Sequence, residues 1–411
     1  MAEAVHIQLS CGVELAVLEL PHRRAVSSEI RVLTGVVNEP ADKLGLAHLV
    51  EQTVDKGTQN HTGRELQDAF DKIGTGVHSW CGKQACGFTS LCLPEYFARN
   101  MELQAELLRT PTFPQDSCDV AIELARQELL ALEDDAQGLA DKHIGKQAMG
   151  PLLGRHTIGE ADTLSKIIRD DFVSFWNSNY SAGKMQVSIA GPMSPAQVQD
   201  VIEARFAEFG DQTQSNRDVV PVEFNPATTH HHKETEQEHI VIALRGVPKS
   251  DDDYGTARLL MGVLAGGMSA RLFTEVREKL GLVYWVGGWQ EHPRGDGLMY
   301  FGASTTPERC AKTYETMLAE LARVGVDLTQ EEVDRARTGI EVRSDIRGDV
   351  TRALCSEMAD DLMHFGRPIP RADKLERLRK ISIADVKRFC ESHVHNAPRS
   401  VVTLGPKALD S

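Results

Sequence analysis

The 411-residue sequence predicts an α+β fold built twice: two homologous domains, each an antiparallel-rich sheet with helices packed on it. Three observations carry this expectation. An internal repeat runs through the chain at a nearly constant offset. Helical and strand-like segments are interleaved, but hairpin signals interrupt them, which a purely parallel sheet would not need. The composition, 41% apolar and 26% charged, is that of a chain that buries a core.

The repeat is clearest near the two ends of the halves. Lys166-Ile-Ile-Arg-Asp-Asp-Phe-Val-Ser-Phe leads into Gln186-Val-Ser-Ile-Ala-Gly-Pro, and Lys380-Ile-Ser-Ile-Ala-Asp-Val-Lys-Arg-Phe leads into Ser400-Val-Val-Thr-Leu-Gly-Pro, at an offset of 214. Gly45, Ala47, Leu49 and Gly57 recur as Gly255, Ala257, Leu259 and Gly267 at offset 210, and Arg64, Lys72 and Gly74 as Arg271, Lys279 and Gly281 at offset 207. Small drifts of this kind are what loop insertions produce in a duplicated domain. The expected domains are 1–212 and 237–411, joined by a linker at 213–236 that carries Pro221 and Pro226. The linker also carries His230-His231-His232, whose side chains diverge along an extended chain and read as a solvated tract rather than a metal site.

Within the first half, residues 6–20 alternate and break at Cys11-Gly12, as a hairpin does. Residues 28–36 and 77–93 read as strands. Residues 41–53 place Leu44, Ala47, Leu49 and Val50 at helical spacing, and 64–73, 94–108 and 119–133 read as amphipathic helices.

Charge and pattern exclude several functions. Lys and Arg number 45 against 60 Asp and Glu, a net charge of −15, which disfavours the neutralisation of nucleic-acid phosphates. No apolar run approaches the ~20 residues of a spanning helix, and residues 1–20 lack the basic start of a secretory signal. Eight scattered cysteines without a Cys-x-x-Cys pair read as reduced thiols, so a cytoplasmic setting is expected. Cys81 and Cys86 read as small buried hydrophobes rather than nucleophiles.

Chemistry concentrates at His48-Leu-Val-Glu51-Gln52. On a helix, positions i, i+3 and i+4 share a face. Histidines at i and i+4 with a glutamate at i+3 would form the inverted zinc-peptidase motif, in which the glutamate takes a proton from metal-bound water. Here Gln52 stands at the second histidine's place, and a neutral amide oxygen is a poor zinc donor.

The surroundings, Gly45-Leu-Ala-His-Leu-Val-Glu-Gln-Thr-Val-Asp-Lys-Gly-Thr58, closely resemble the metal-binding helix of the pitrilysin/insulinase metallopeptidase family, to which mitochondrial processing peptidase and the smaller two-domain bacterial peptidases belong. Gly266-Gly-Met-Ser-Ala-Arg271-Leu-Phe-Thr-Glu-Val-Arg-Glu-Lys-Leu-Gly281-Leu-Val-Tyr284 resembles that family's second-domain signature, and the resemblance covers essentially the whole chain. It implies His48 as first zinc ligand, Glu51 as a vestigial general base, and Glu128 as third ligand, with Glu133 as runner-up. Where the family often has a further acid, this chain has Ala121. It implies a substrate strand at 76–81 that pairs with an extended peptide, carrying His78 and Ser79. It also implies a substrate clamp of Arg271 and Tyr284, which donate to the peptide near the scissile carbonyl. Without the resemblance, Arg271 and Arg277 would read as ordinary helix-face charges.

The resemblance further implies a dimer around a chamber, with zinc from one chain and the clamp from the other. A chain with a damaged zinc motif then reads as the clamp-bearing subunit of a heterodimer. Its expected partner is a homologous subunit with an intact His-x-x-Glu-His that carries the zinc; its expected substrates are peptides. An active homodimer with an atypical ligand set, in which this chain binds zinc weakly, and a non-catalytic scaffold are the alternatives.

Overall fold

The computed structural model describes residues 3–209 and 219–409. The strands and helices of the first half are β1 (Val5–Gln8), β2 (Glu14–Glu19), β3 (Val26–Val32), α1 (Leu46–Thr53), α2 (Gly63–Asp71), β4 (His78–Cys81), β5 (Cys86–Cys92), α3 (Phe97–Arg109), α4 (Gln115–Asp134), α5 (Ala136–Leu153), α6 (Ala161–Leu164), α7 (Arg169–Asn179), β6 (Met185–Gly191) and α8 (Pro195–Phe206). The second half has β7 (Thr228–His232), β8 (Glu238–Arg245), α9 (Tyr254–Ala265), β9 (Val283–Glu291), β10 (Leu298–Thr305), α10 (Cys310–Asp327), α11 (Gln330–Gly348), α12 (Thr351–Phe365), α13 (Arg371–Lys380), α14 (Ile383–Cys390) and β11 (Arg399–Gly405).

The two sheets have the same topology. The first runs β1-β2-β6-β3-β5-β4 and the second β7-β11-β8-β10-β9. The β2–β6 and β7–β11 pairs are parallel, and the remaining ladders are antiparallel. The second sheet repeats the first from β2 onward, so the duplication read in the sequence is a duplication of fold. Part of the expected linker is structured: Thr228–His232 is the strand β7, parallel to β11, while 213–218 lie outside the described residues. An unbroken polar run, Thr228-Thr-His-His-His232, concealed this strand, because β7 is an edge and is only half-buried.

The chain forms two compact units, and they are not contiguous in sequence. Among described residues the first unit takes 3–129, 155–209 and 346–370; the second takes 130–154, 219–345 and 371–409. Thus α5, from the first half, packs on β11 and β8 of the second unit, and α12, from the second half, packs on β6 and β3 of the first. These two helices lie about one repeat offset apart in the chain, so equivalent helices of the two copies have changed places. This differs from the expected division at 212 and 237. Helical periodicity reports that a helix has an apolar face, not which sheet it covers.

In the first unit this exchange explains why β3 and β6 are buried along their whole length. One face of β3 presents Ile30 and Val32 to the main core, whose opposite side includes Leu49 and Val50 of α1 and Phe97 and Met101 of α3. The other face meets α12: Ser27 and Ser188 carbonyls accept from the Cys355 thiol, the latter at 3.0 Å, and Leu354, Met358 and Leu362 cover Ala16, Leu18 and Ala190. In the second unit, Gln147 on α5 donates to the Ala227 carbonyl and to Ser400 Oγ, both at 2.7 Å, which fixes the helix to β11.

Candidate functional site

The helix α1 begins later than its periodicity predicts. Gly45 adopts φ 98°, a left-handed conformation that L-residues disfavour, and a Cβ there would stand 2.6 Å from the Ile158 carbonyl oxygen. Glu39 then caps the helix, its Oε1 accepting from Gly45 N–H at 3.1 Å and Ala47 N–H at 2.9 Å. The apolar face (Leu46, Leu49, Val50) is buried, and α1 packs against α7 and β4.

This places His48, Glu51 and Gln52 beside α4. His48 Nδ1 lies 3.3 Å from Glu51 Oε2, and its Nε2 lies 3.6 Å from Glu128 Oε2. Glu128 is thus the carboxylate that meets His48. Burial opposes the charging of His48, but the Glu51 and Glu128 carboxylates outweigh it and raise its pKa above the ordinary value. Glu51 is buried, whereas half of Glu128 is open to solvent. Gln52 Nε2 stands 3.2 and 3.3 Å from the two Glu51 oxygens. An amide oxygen turned toward a carboxylate would be repelled, so the NH₂ group is the one that faces Glu51. Two turns before Glu128, Ala121 is buried in the core and supplies no carboxylate.

The strand β4 is the outer edge of the first sheet, pairing only with β5 in the sheet order. His78, Ser79 and Trp80 on it are exposed. An edge strand offers unpaired backbone donors and acceptors to an incoming extended chain.

In the second unit the structure separates the residues expected as a clamp. Arg271 is buried. Its Nε and Nη2 donate to the two Glu332 oxygens at 2.6 and 2.8 Å, and Nη1 donates to the Asp327 carboxylate. A guanidinium held on every nitrogen in this way supports α10 and α11; it is not free to meet a peptide. Burial opposes its charge, but Glu332 and Asp327 prevail, and Glu332 in turn is held down to about 2.

Tyr284 is 79% exposed. The ladder explains why: Ser304 pairs with Trp285 and Thr305 with Val283, so Tyr284 is the extra residue of a β-bulge in the edge strand β9. Bulges redirect side chains in this way. Above its ring lies Arg277, with the guanidinium carbon 5.6 Å from the centroid. Arg277 is exposed and sits in a π-helical turn, Phe273–Lys279, a geometry frequent at functional sites. The arginine partnered with Tyr284 is therefore Arg277, not Arg271. The seven-residue spacing from Arg277 to Tyr284 was visible in the sequence; the bulge and the widened turn that bring them together were not.

Residues 15–161 match a family model described as insulinase (peptidase family M16), and residues 166–340 match one described as peptidase M16 inactive domain. The chain belongs to the M16 family. Among its relatives, a protein named uncharacterized zinc protease from Rickettsia felis is 24% identical over 98% of this chain and 97% of its own length. The mitochondrial-processing peptidase subunit beta of Dictyostelium discoideum is 22% identical over 97% of this chain and 88% of its own. A crystal structure titled peptidase M16 inactive domain from Pseudomonas fluorescens superposes with TM-score 0.89 at 19% identity, covering 99% of this chain and 98% of that one. A protease from Helicobacter pylori gives 0.89 at 16% identity, covering 99% and 100%.

M16 relatives named zinc proteases raise the question of whether these residues fit zinc. They do not. The second-ligand place holds an amide whose donor end is turned to Glu51, leaving one imidazole and one half-exposed carboxylate. Catalytic zinc takes three good protein ligands. Among the described residues no group of three His, Cys, Asp or Glu side chains is placed to hold a metal ion. The same holds of His230–His232: His230 Nδ1 contacts Thr403 Oγ1 at 2.9 Å and His232 Nε2 meets Glu234 at 3.0 Å, their rings 6.4 Å apart, while His231 stacks on His143 at 3.6 Å, so the three do not converge on one point. No helix among the described residues is long and apolar enough to cross a membrane.

Proposed function

We propose that this M16 chain is the clamp-bearing subunit of a two-chain metallopeptidase that acts on peptides, its partner being a homologous subunit with an intact His-x-x-Glu-His and the zinc. The observation that carries this reading is the contrast between two sites. Gln52 closes the metal position by binding Glu51, while Tyr284 and Arg277 stand exposed together on a bulged edge. A residue pair with no use would not need a bulge and a π-turn to present it.

On this reading an extended peptide pairs with β4 through its backbone, past His78 and Ser79. Separately from that edge, the Arg277 guanidinium and Tyr284 phenol donate to the carbonyl of a peptide bound at the partner's zinc-bearing unit, as negative charge develops on its oxygen. Glu51 is vestigial, its carboxylate occupied by the Gln52 amide. A cytoplasmic location accords with the free thiols.

The test is reconstitution with the His-x-x-Glu-His homologue from the same genome. The pair should cleave peptides that neither chain cleaves alone, and Arg277→Ala or Tyr284→Phe in this chain should lower kcat about 10²–10³-fold. Full peptidase activity of the purified chain alone, with one zinc per chain, would instead establish the homodimer, a reading favoured only by the approach of His48 to Glu128.

A further inference from the structure

Cys81 and Cys86 stand directly opposite each other on β4 and β5. One step toward the turn, Gly82 N–H donates to the Ala85 carbonyl at 2.9 Å. Gly82–Ala85 is therefore a hydrogen-bonded pair, and Cys81–Cys86, the next along the ladder, is a non-hydrogen-bonded pair. In such pairs the Cα atoms approach to roughly 4.5 Å and the side chains lie closest. That separation falls inside the ~4.4–6.8 Å range that a disulfide spans.

The hairpin tip is held from outside as well. Val36 N–H donates to the Gly82 carbonyl at 3.2 Å and Val37 N–H to the Lys83 carbonyl at 3.1 Å, so the two cysteines cannot drift apart with the turn. Both thiols are free. Cys81 is half-buried and therefore reachable, whereas Cys86 is buried behind it, against the buried Tyr180 hydroxyl. Cys92, farther along β5, faces Val26 and has no such opposite number.

We infer that Cys81 and Cys86 are a reversible dithiol–disulfide pair that exchanges with low-molecular-weight disulfides and, when oxidised, locks the tip of the edge strand β4. In the first step the Cys81 sulfur attacks one sulfur of RSSR; the S–S bond breaks, and RSH leaves with the proton from Cys81. In the second, the Cys86 sulfur attacks the Cys81 sulfur of the mixed disulfide, and a second RSH leaves with the proton from Cys86. Two protein thiols lose two electrons, and one RSSR becomes two RSH. The neighbouring Cys86 thiol and burial push the Cys81 thiol well up, so little thiolate exists at neutral pH and the exchange is slow.

The chemical step stands apart from the peptidase reading. Only its consequence, a stiffened peptide-accepting edge, rests on the assignment of β4 as the substrate strand. The experiment equilibrates the full chain in graded mixtures of oxidised and reduced glutathione, quenches by alkylation, and maps thiols by peptide mass. A two-hydrogen loss confined to the segment holding Cys81 and Cys86, reversed by dithiothreitol, is expected. Amide exchange of residues 78–81 should slow by about tenfold or more in that form. Cys86→Ser should instead trap glutathione on Cys81. Alkylation of both thiols even in the most oxidising mixture, a mixed disulfide on Cys81 that never resolves, or oxidation at other cysteines first would each overturn the inference. None of those results bears on Arg277 and Tyr284, whose test is activity.

Discussion

The side-chain amide of Gln52 donates to both carboxylate oxygens of Glu51, at 3.2 and 3.3 Å. A buried carboxylate with no cation needs donors, and Gln52 and His48 supply them. The damaged motif is thus a satisfied hydrogen-bonded cluster. Gln52→His would exchange the amide for a ligand and complete a His–His–Glu set with His48 and Glu128. The variant should take up about one zinc, and at a hundredfold excess over Kd its stability should rise by about 2.7 kcal/mol. The unaltered chain should show no comparable shift in Tm. Equal responses from both would mean that Gln52 does not control metal binding.

Arg271 and Arg277 make opposite predictions. Arg271→Ala leaves Glu332 and Asp327 without their shared counter-ion and should cost about 3 kcal/mol in urea denaturation. Arg277→Ala, at an exposed site, should change stability by less than about 0.5 kcal/mol. Yet it is Arg277→Ala that should lower kcat of the reconstituted pair about 10²–10³-fold. The reverse pattern would return the clamp to Arg271.

These two arginines show where sequence reading works and where it stops. The duplication, the α1 helix and its broken motif were legible because they are local or periodic. Arg271 was placed with Tyr284 because spacing cannot report burial, and only the folded chain shows its guanidinium consumed by Glu332 and Asp327. The bulge at Tyr284 depends on the β9–β10 register, a non-local property. The exchange of α5 and α12 between units was invisible for the same reason: each helix has an apolar face, but its partner lies on a distant segment.

Glu39 gives a pH signature. Burial pushes its pKa up to about 7, more than the Ala47 and Gly45 N–H groups and Arg155 can offset. Its Oε2 is buried without a hydrogen-bond partner. Because the folded value lies above the unfolded one, at about 4.3, the contribution of this group is fully present below the unfolded value and is lost as pH rises through about 7. Glu39→Gln keeps an acceptor for the α1 cap but removes the titration. Urea midpoints of the two proteins, compared from pH 4 to roughly pH 8, should diverge in favour of the glutamine as pH rises. A difference that does not vary with pH would show that Glu39 titrates normally.

The exchanged helix α12 makes the first unit dependent on a segment more than a hundred residues away from the rest of it. Without α12, the sheet face carrying Ala16, Leu18, Leu20 and Ala190 meets water, and Leu354, Met358 and Leu362 lose the surface that buries them. Each such side chain contributes ~1.5–3 kcal/mol when buried, against a total stability of ~5–15 kcal/mol for a domain. A fragment ending at residue 218 should therefore bind a hydrophobic dye and aggregate, despite holding every strand of the first sheet. Supplying residues 346–370, tethered or as a peptide, should restore a soluble, cooperative fold. The same segment carrying Leu354→Ala and Leu362→Ala should fail, since each substitution costs ~2–5 kcal/mol at a core site. A fragment that folds unaided would show that α12 covers this face without being needed for it.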